Sequence, residues 1–513
     1  SLGSKHNRRA SAGFFGRVNY DYNDIYLLEI NGRYDGSSRF PHNAHWAFFP
    51  SVSLGYRFSE EPYFKNLKDV VSNGKLRASF GEIGNEAVGE YMFEELITQL
   101  EEKKVYWVDN NKENANLLTM YNMPNLVASS LTWERIRTTD IGIDLGFLNN
   151  ELMVGFDWYQ RENRDMLAPS KVLPQVLGAD APVSNAGTLR TRGWEFTVDW
   201  HHRFGDFNVY ANFNLSDSRT KVTKWDNPSM LLNTNYSGKT YGDIWGFETD
   251  RYFEESDFTG KNPDGTWNYA AGIASQKGLE QGSFHYGPGD VKYKDVDGSG
   301  VIDGGKGTAN NHGDLKVIGN FLPRYEYSFH LGGTWKGIDL DLFFQGVGKR
   351  DSWTVSSMNF PLMRDADLAL YAHQTSYNKV NFTADYKTIT GYEINQNNKY
   401  PRLFPGNDPK GTISGIDNGT NNYYPQSRYL TDMSYLRLKN VTLGYTLPAE
   451  LTRKAYIQKA RIYFSASNLF LLHKGNDLPV DPEISTGAGL AYGGWGRTAP
   501  ITRTFSFGMQ VTL

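Results

Sequence analysis

The sequence contains no cysteine, which removes disulfides, thiol catalysis and Cys-ligated zinc while leaving the compartment open. It also contains no run of roughly 18 or more apolar residues, so a helical membrane protein is excluded. Charge of one sign is missing too: 53 Lys and Arg against 57 Asp and Glu give a formal net charge of −4. With no Lys/Arg block either, nothing argues for nucleic acid as a partner. The 513 residues show no Pro-, Ser- or charge-rich linker, which points to one large architecture and not a string of domains. Ser1-Leu2-Gly3 has neither a starting Met nor a charged segment leading into an apolar one, so no signal peptide is read there. A removed signal or a fragment is expected.

Aromatics and glycine are plentiful: 32 Tyr, 30 Phe, 12 Trp and 52 Gly in a chain that is 39% hydrophobic. They are arranged with period two, the signature of strands. Phe14, Gly16, Val18, Tyr20 and Tyr22 share a face against Arg17, Asn19 and Asp21. After Asn23-Asp24, Tyr26, Leu28, Ile30, Gly32 and Tyr34 do the same, giving a hairpin with a short turn. The pattern recurs at Val52–Phe58, Ile141–Phe147, Leu152–Trp158, Trp194–Trp200, Phe207–Leu215, Tyr325–Leu331, Ile338–Phe344, Leu436–Leu447, Ile462–Ala466 and Thr504–Leu513. Roughly fourteen strands of about ten residues result. Between Leu438 and Val441 the apolar phase slips by one, so a β-bulge is predicted near Lys439-Asn440.

Connections alternate in length: tight near 23, 149, 204 and 336, long and polar at 86 to 130, 218 to 320 and 345 to 427. That asymmetry is expected of a transmembrane antiparallel β-barrel, whose periplasmic turns are short and extracellular loops long. Polar residues of the inward face would line a lumen. A secreted all-β protein with one solvated face also alternates, but strands of this length with aromatics near their ends suit a membrane wall. The terminal strand Phe505–Leu513 would be an exposed apolar edge unless paired, which favours closure.

The sharpest local motif is Asp295-Val296-Asp297-Gly298-Ser299-Gly300-Val301-Ile302-Asp303. It follows the start of an EF-hand calcium loop, with oxygen donors expected from Asp295, Asp297, Ser299, the Val301 carbonyl and Asp303, and a glycine at the sharp turn. The bidentate Glu that should complete it is replaced by Lys306, so a completing carboxylate must come from elsewhere, Asp290 or Asp314 being nearest in sequence. A structural Ca²⁺ stapling a long loop is expected. Gly300 to Lys306 also approximates a phosphate loop, but Gly307 stands where Ser or Thr is needed. No H-E-x-x-H or G-x-S-x-G occurs, and His201-His202 has no carboxylate ladder, so no enzyme is expected. The long loops hold Trp107, Trp225, Trp245, Trp267, Trp353, Tyr423, Tyr424 and Trp495 among polar residues, a mixture suited to sugars or peptides. Trp245, Trp353, Tyr423 and Tyr424 are the candidate ligand contacts; packing within loops is the alternative for each.

Several phrases together resemble the SusC/RagA-type TonB-dependent transporters of the Bacteroidetes outer membrane. They are Leu131-Thr132-Trp133-Glu134, Asn185-Ala186-Gly187 with Arg192-Gly193-Trp194-Glu195, Gly289-Asp290-Val291-Lys292-Tyr293-Lys294-Asp295, Leu322-Pro323-Arg324-Tyr325, the run Ser434 to Pro448, Ser467-Asn468-Leu469-Phe470 and Asp481-Pro482-Glu483-Ile484. The resemblance implies a barrel of about 22 strands with an N-terminal plug, of which residues 1–513 would be the C-terminal barrel portion without plug or first strands. It further implies active nutrient uptake in the outer membrane, energised by TonB-ExbB-ExbD, with a SusD-like lipoprotein that captures oligosaccharides (glycans) or peptides. A dimer of such transporter–lipoprotein pairs is compatible with it. A passive porin or adhesin-type barrel, or a secreted β-rich carbohydrate-binding protein, are the competing readings. The usual aromatic terminal residue is replaced by Leu513.

Overall fold

A computed structural model describes residues 8–95, 97, 105–108, 115–118, 121, 126–127, 131–169, 182–281, 284–353, 376–384, 389–402, 422–478, 480–483 and 501–513. The chain forms two compact units: Ser1–Val198 with Ser218–Pro228 and Thr234–Tyr241, and Asp199–Asp217 with Ser229–Asn233 and Gly242–Leu513.

Long strands dominate both. The first unit is built on β1 (Ser11–Tyr22), β2 (Tyr26–Ser37), β3 (Trp46–Tyr56), β4 (Val71–Asn85), β5 (Glu134–Phe147), β6 (Leu152–Pro169) and most of β7 (Val183–Phe204), which it holds as far as Val198, hydrogen-bonded in that order. The second is built on the start of β8 (Phe207–Lys224), which it holds as far as Asp217, and on β9 (Arg324–Trp335), β10 (Ile338–Lys349), β11 (Tyr435–Thr446), β12 (Lys459–Lys474) and β13 (Thr504–Thr512), again in order. Every register recorded for these neighbours is antiparallel. Among the described residues, thirteen long strands stand against the roughly fourteen expected from alternation. The remaining pairs, such as Asp243–Phe247 with Leu315–Asn320, are short and belong to loops.

Period-two patterning places whole faces together, because directly opposed residues of an antiparallel pair point the same way. Phe14 faces Tyr34, Val18 faces Ile30, and Tyr22 faces Tyr26; Ile462 faces Met509 and Phe464 faces Phe507. This apolar face is open to its surroundings, with Ile141 54% and Phe507 84% exposed. A contiguous surface of that kind is an anomaly in water and the ordinary condition of a wall in lipid. The opposite face is cross-linked by charge. The Arg77 guanidinium donates to Asp144 at 2.7 Å and to Asp157 at 3.0 Å, and Arg461 donates to Asp339 at 2.9 Å.

Turn chemistry follows the same logic. Asn23 and Asp24 both adopt φ 57°, and Lys336-Gly337 adopt φ 46° and 90°, the left-handed pair that a two-residue hairpin turn requires. A β-carbon on Gly337 would lie 2.6 Å from the Thr446 carbonyl oxygen, so only glycine fits. The predicted bulge is present: Phe343 pairs with Asn440 and Phe344 with Leu438, which leaves Lys439 unpaired on that side and on the β12 side alike.

Two of the phrases noted in the sequence meet at the ends of β5 and β7. The Asn185 side chain brackets Thr132, accepting from its N–H and donating to its carbonyl, both at 2.9 Å. Leu131 and Trp133 are thereby fixed in a small buried core with Phe40, Ala47, Phe49 and Val88. The Trp133 ring lies 4.7 Å from Phe40 and 5.5 Å from Phe49, and its indole N–H donates to the Ala44 carbonyl at 3.1 Å. Truncation there removes both packing and a hydrogen bond, so Trp133→Ala is expected to cost about 3–5 kcal/mol. Urea unfolding in detergent micelles should show this as an earlier midpoint; an unchanged midpoint would refute the packing role.

Candidate functional site

The long connections of the second unit carry their own hydrophobic core. Phe247, Tyr252, Phe253, Phe258, Phe284, Tyr286, Val291, Tyr293, Ile302, Tyr400, Tyr423 and Tyr429 are buried together, drawn from segments far apart in the chain. Aromatic rings stack at short range, Phe247 on Tyr293 at 4.9 Å and Tyr377 on Tyr400 at 5.1 Å. Burial pushes the Tyr286, Tyr423 and Tyr429 hydroxyls well above their ordinary pKa, which keeps them neutral.

Three of the four aromatic candidates for ligand contact, Tyr423, Tyr424 and Trp353, fall in or against this core. Tyr423 is 9% exposed and packs edge-on to Tyr429 at 5.5 Å. Tyr424 is half-buried, donates to the Leu279 carbonyl at 2.9 Å and accepts from Gln281 at 2.8 Å. Trp353 packs on the cluster from its edge, and Trp245 lies 5.4 Å from the His312 ring. Each has a packing or hydrogen-bond partner within the loops. Trp225 stands in the first unit against Gly187. The Trp107 side chain and Trp495 lie outside the described residues.

Asp290, in the Gly289-Asp290 phrase, is the tie-point of these loops. It is fully buried, and its Oδ2 accepts from Arg402 at 2.6 Å and from the Gly287 N–H at 2.9 Å. Its Oδ1 accepts from the Asn422 amide at 2.9 Å, while Asn422 Oδ1 accepts from the Val291 N–H at 2.9 Å. Arg402, 6% exposed, also donates to the His285 carbonyl at 3.1 Å. A buried carboxylate is tolerated only when paired and hydrogen-bonded in this way. Sequence reasoning did not find Arg402 or Asn422, because they lie 112 and 132 residues from their partner and carry no local signature.

The acidic loop is also partly assembled. Asp295, Asp297 and Asp314 bring oxygen atoms within 4.8 Å of one another, so of the two carboxylates considered beside the loop, Asp314 is the one that lies against it. Asp290, the other candidate, is committed to Arg402. Asp314 is fully buried; its Oδ1 accepts from the Val296 N–H and its Oδ2 from the Asp303 N–H, at 2.6 and 3.0 Å. Asp303 is not part of that carboxylate group. Ser299 Oγ donates to the Val301 carbonyl at 2.9 Å, which turns both predicted donors on each other, and Asp303 Oδ1 accepts from the Gly305 N–H at 2.7 Å. The hydrogen bond from Ser299 holds the exposed Asp297 carboxyl below its ordinary pKa. Three hard oxygen donors fit Ca²⁺ in kind.

Residues 2–304 match the family model described as TonB dependent receptor-like, beta-barrel. The chain belongs to that family. TonB-dependent receptor P3 of Formosa agariphila is 28% identical over 524 residues, covering 97% of this chain and 45% of that protein. TonB-dependent receptor SusC of Bacteroides thetaiotaomicron is 26% identical over 495 residues, covering 94% and 42%. The chain therefore spans less than half the length of these relatives. The structure of the RagAB peptide transporter superposes with a TM-score of 0.68 at 21% identity over 98% of this chain and 47% of that one, which is a likeness of fold. As a TonB-dependent receptor β-barrel chain it is an outer-membrane protein, and its exposed apolar face is the face that meets lipid.

In this family member the buried Asp290–Arg402 pair holds the loops. Asp290→Ala, which strands the arginine, should cost about 3–5 kcal/mol locally and open the 376–402 segment to limited proteolysis. A cleavage pattern identical to that of the unaltered protein would count against the role.

Proposed function

We propose that this chain is the barrel portion of an active importer: a transporter energised through TonB that takes up oligosaccharides or peptides with a SusD-like surface lipoprotein. The observation that carries the reading is the family membership, which joins this chain to TonB-dependent receptors over nearly its whole length. Two features support it. The charged ladders, such as Arg77 with Asp144 and Asp157, lie on the strand face opposite the lipid, as a polar passage needs. The loops are built as a packed, ion-paired body suited to hold a ligand or meet a partner chain. The RagAB peptide transporter, which shares this fold, makes peptides one of the two substrate classes to test. No residue here is assigned covalent chemistry.

The test is uptake and composition together. The full-length protein purified from its native membrane should bring a surface lipoprotein with it, detectable by native mass spectrometry, and uptake of oligosaccharides or peptides should stop when TonB is deleted. Uptake that survives TonB deletion would make it a passive pore instead.

We also propose that Asp295, Asp297 and Asp314 hold a structural Ca²⁺. The support is the three carboxylates within 4.8 Å on a loop whose spacing follows a calcium motif. Chelation should then speed proteolysis within residues 286–318, and added Ca²⁺ should reverse it. Cleavage insensitive to chelator would remove the metal from the account.

A further inference from the structure

Four neighbouring strands of the first unit carry charge where a membrane wall is expected to be apolar. On β5, Arg135 and Arg137 have the same parity as Ile141, Ile143 and Leu145, and neither flanking ladder shifts register between Glu134 and Gly146. On β6, Gln160, Glu162 and Arg164 share parity with Phe156 and Trp158; on β7, Arg190 and Arg192 share parity with Trp194 and Phe196. These groups therefore continue the lipid-facing stripe and do not belong to the polar face.

Their arrangement is ordered. Glu82, Arg137 and Glu162 lie in register across β4, β5 and β6, and Gly84, Arg135 and Arg164 form the next row. The Glu82 side chain is 7% exposed and lies between two guanidinium groups, accepting from Arg137 at 2.6 Å and from Arg135 at 3.2 Å. Glu162, also 7% exposed, accepts from Arg190 at 2.7 Å and Arg164 at 2.9 Å. Arg192 donates to Gln160 at 2.8 Å. Arg135 and Arg137 also stand over the Phe49 and Phe80 rings, each at 5.5 Å. The glutamates thus act from beneath, holding the arginines in place while the arginine side chains stay 36–41% exposed.

Among the described residues the charge does not balance. Five arginines over two glutamates leave a surplus of positive charge there, and a guanidinium carries five donors of which these bonds use only some. The belt lies at the end of the strands away from the short turn at Leu148–Glu151, hence at the extracellular side, since barrels place short turns in the periplasm. It begins where the apolar and aromatic stripe of Phe80, Ile141, Trp158 and Trp194 ends. That is the depth of lipid head groups in the outer leaflet.

We propose that this belt binds the phosphates of a phosphorylated glycolipid head group of lipid A type. Forked donors match phosphate oxygens, the apolar stripe below accommodates the acyl chains, and basic groups beside a membrane-spanning segment attract anionic lipid. A water-facing patch would have no stripe to continue.

The test uses the full-length transporter reconstituted in phosphatidylethanolamine nanodiscs doped with diphosphoryl lipid A or with its dephosphorylated form, with retained lipid counted by native mass spectrometry. The unaltered protein should retain the phosphorylated form about tenfold better. The triple variant Arg135→Gln, Arg164→Gln, Arg192→Gln leaves Arg137 on Glu82 and Arg190 on Glu162, so neither glutamate is orphaned, and it should lose the preference while keeping the heat-modifiable gel mobility of a folded barrel. Arg192→Gln alone, which touches no carboxylate among the described residues, should reduce the preference if the triple variant fails to fold. Equal retention of both lipids, an undiminished preference in the variants, or a co-purifying protein that shields these arginines from phenylglyoxal would overturn the proposal.

Discussion

Backbone hydrogen bonding in hydrocarbon is the constraint on which the rest of this structure depends. No water is available at that depth, so each N–H and C=O must find its partner in the next strand, and only a continuous antiparallel ladder or a helix meets the demand. The chain has no helix long and apolar enough to cross a membrane among its described residues, and it meets the demand with strands of nine to 22 residues. Once the ladder is fixed, side chains must alternate. One face is given to lipid, the other to paired charge, and a single slip would exchange them. The bulge at Lys439 shows how the slip is managed: the unpaired residue carries its amine to Glu483 at 2.6 Å, beside Arg437, which reaches Glu483 at 2.7 Å.

Water returns beyond the ladder, and there the rules change. The long connections cannot borrow stability from the wall, so they assemble an aromatic core and pin it with the buried Asp290–Arg402 pair. Most of the phrases that resemble SusC/RagA-type proteins prove to be contact points of this kind. Thr132 and Asn185 meet each other, Arg437 meets Asp481 and Glu483, Arg324 pairs with Asp217, and Asp290 gathers residues from three segments. Their physical role is to fasten loops to strand ends, which is compatible with a receptor whose outer surface must hold a defined shape.

Local periodicity made the wall legible. Phe14 to Tyr22, Ile141 to Phe147 and Ile462 to Ala466 declare their faces within a few residues, and the phase slip at Lys439-Asn440 could be located because each side of it is regular. The loops were opaque for the opposite reason. Tyr423, proposed as a ligand contact, is buried by Tyr429 and by residues from elsewhere in the chain, and composition does not separate a ring that packs from one that binds. Asp295 and Asp297 were found by spacing. Asp314 entered only as one of two neighbours; it lies beside Asp295 and Asp297, while Asp290 pairs with Arg402. The arginine belt of β4 to β7 escaped notice because each arginine, taken alone, reads as a strand end reaching water.

The central claim is that alternate residues of these strands face lipid. With no native cysteine in the sequence, single cysteines can be placed along β12 at Arg461, Ile462, Tyr463, Phe464 and Ser465 and probed in the reconstituted full-length protein. The account predicts that cysteines at 462 and 464 are quenched by a lipid-soluble reagent and protected from a water-soluble thiol reagent, with the reverse at 461, 463 and 465. Uniform aqueous labelling along the strand, or no alternation, would contradict it.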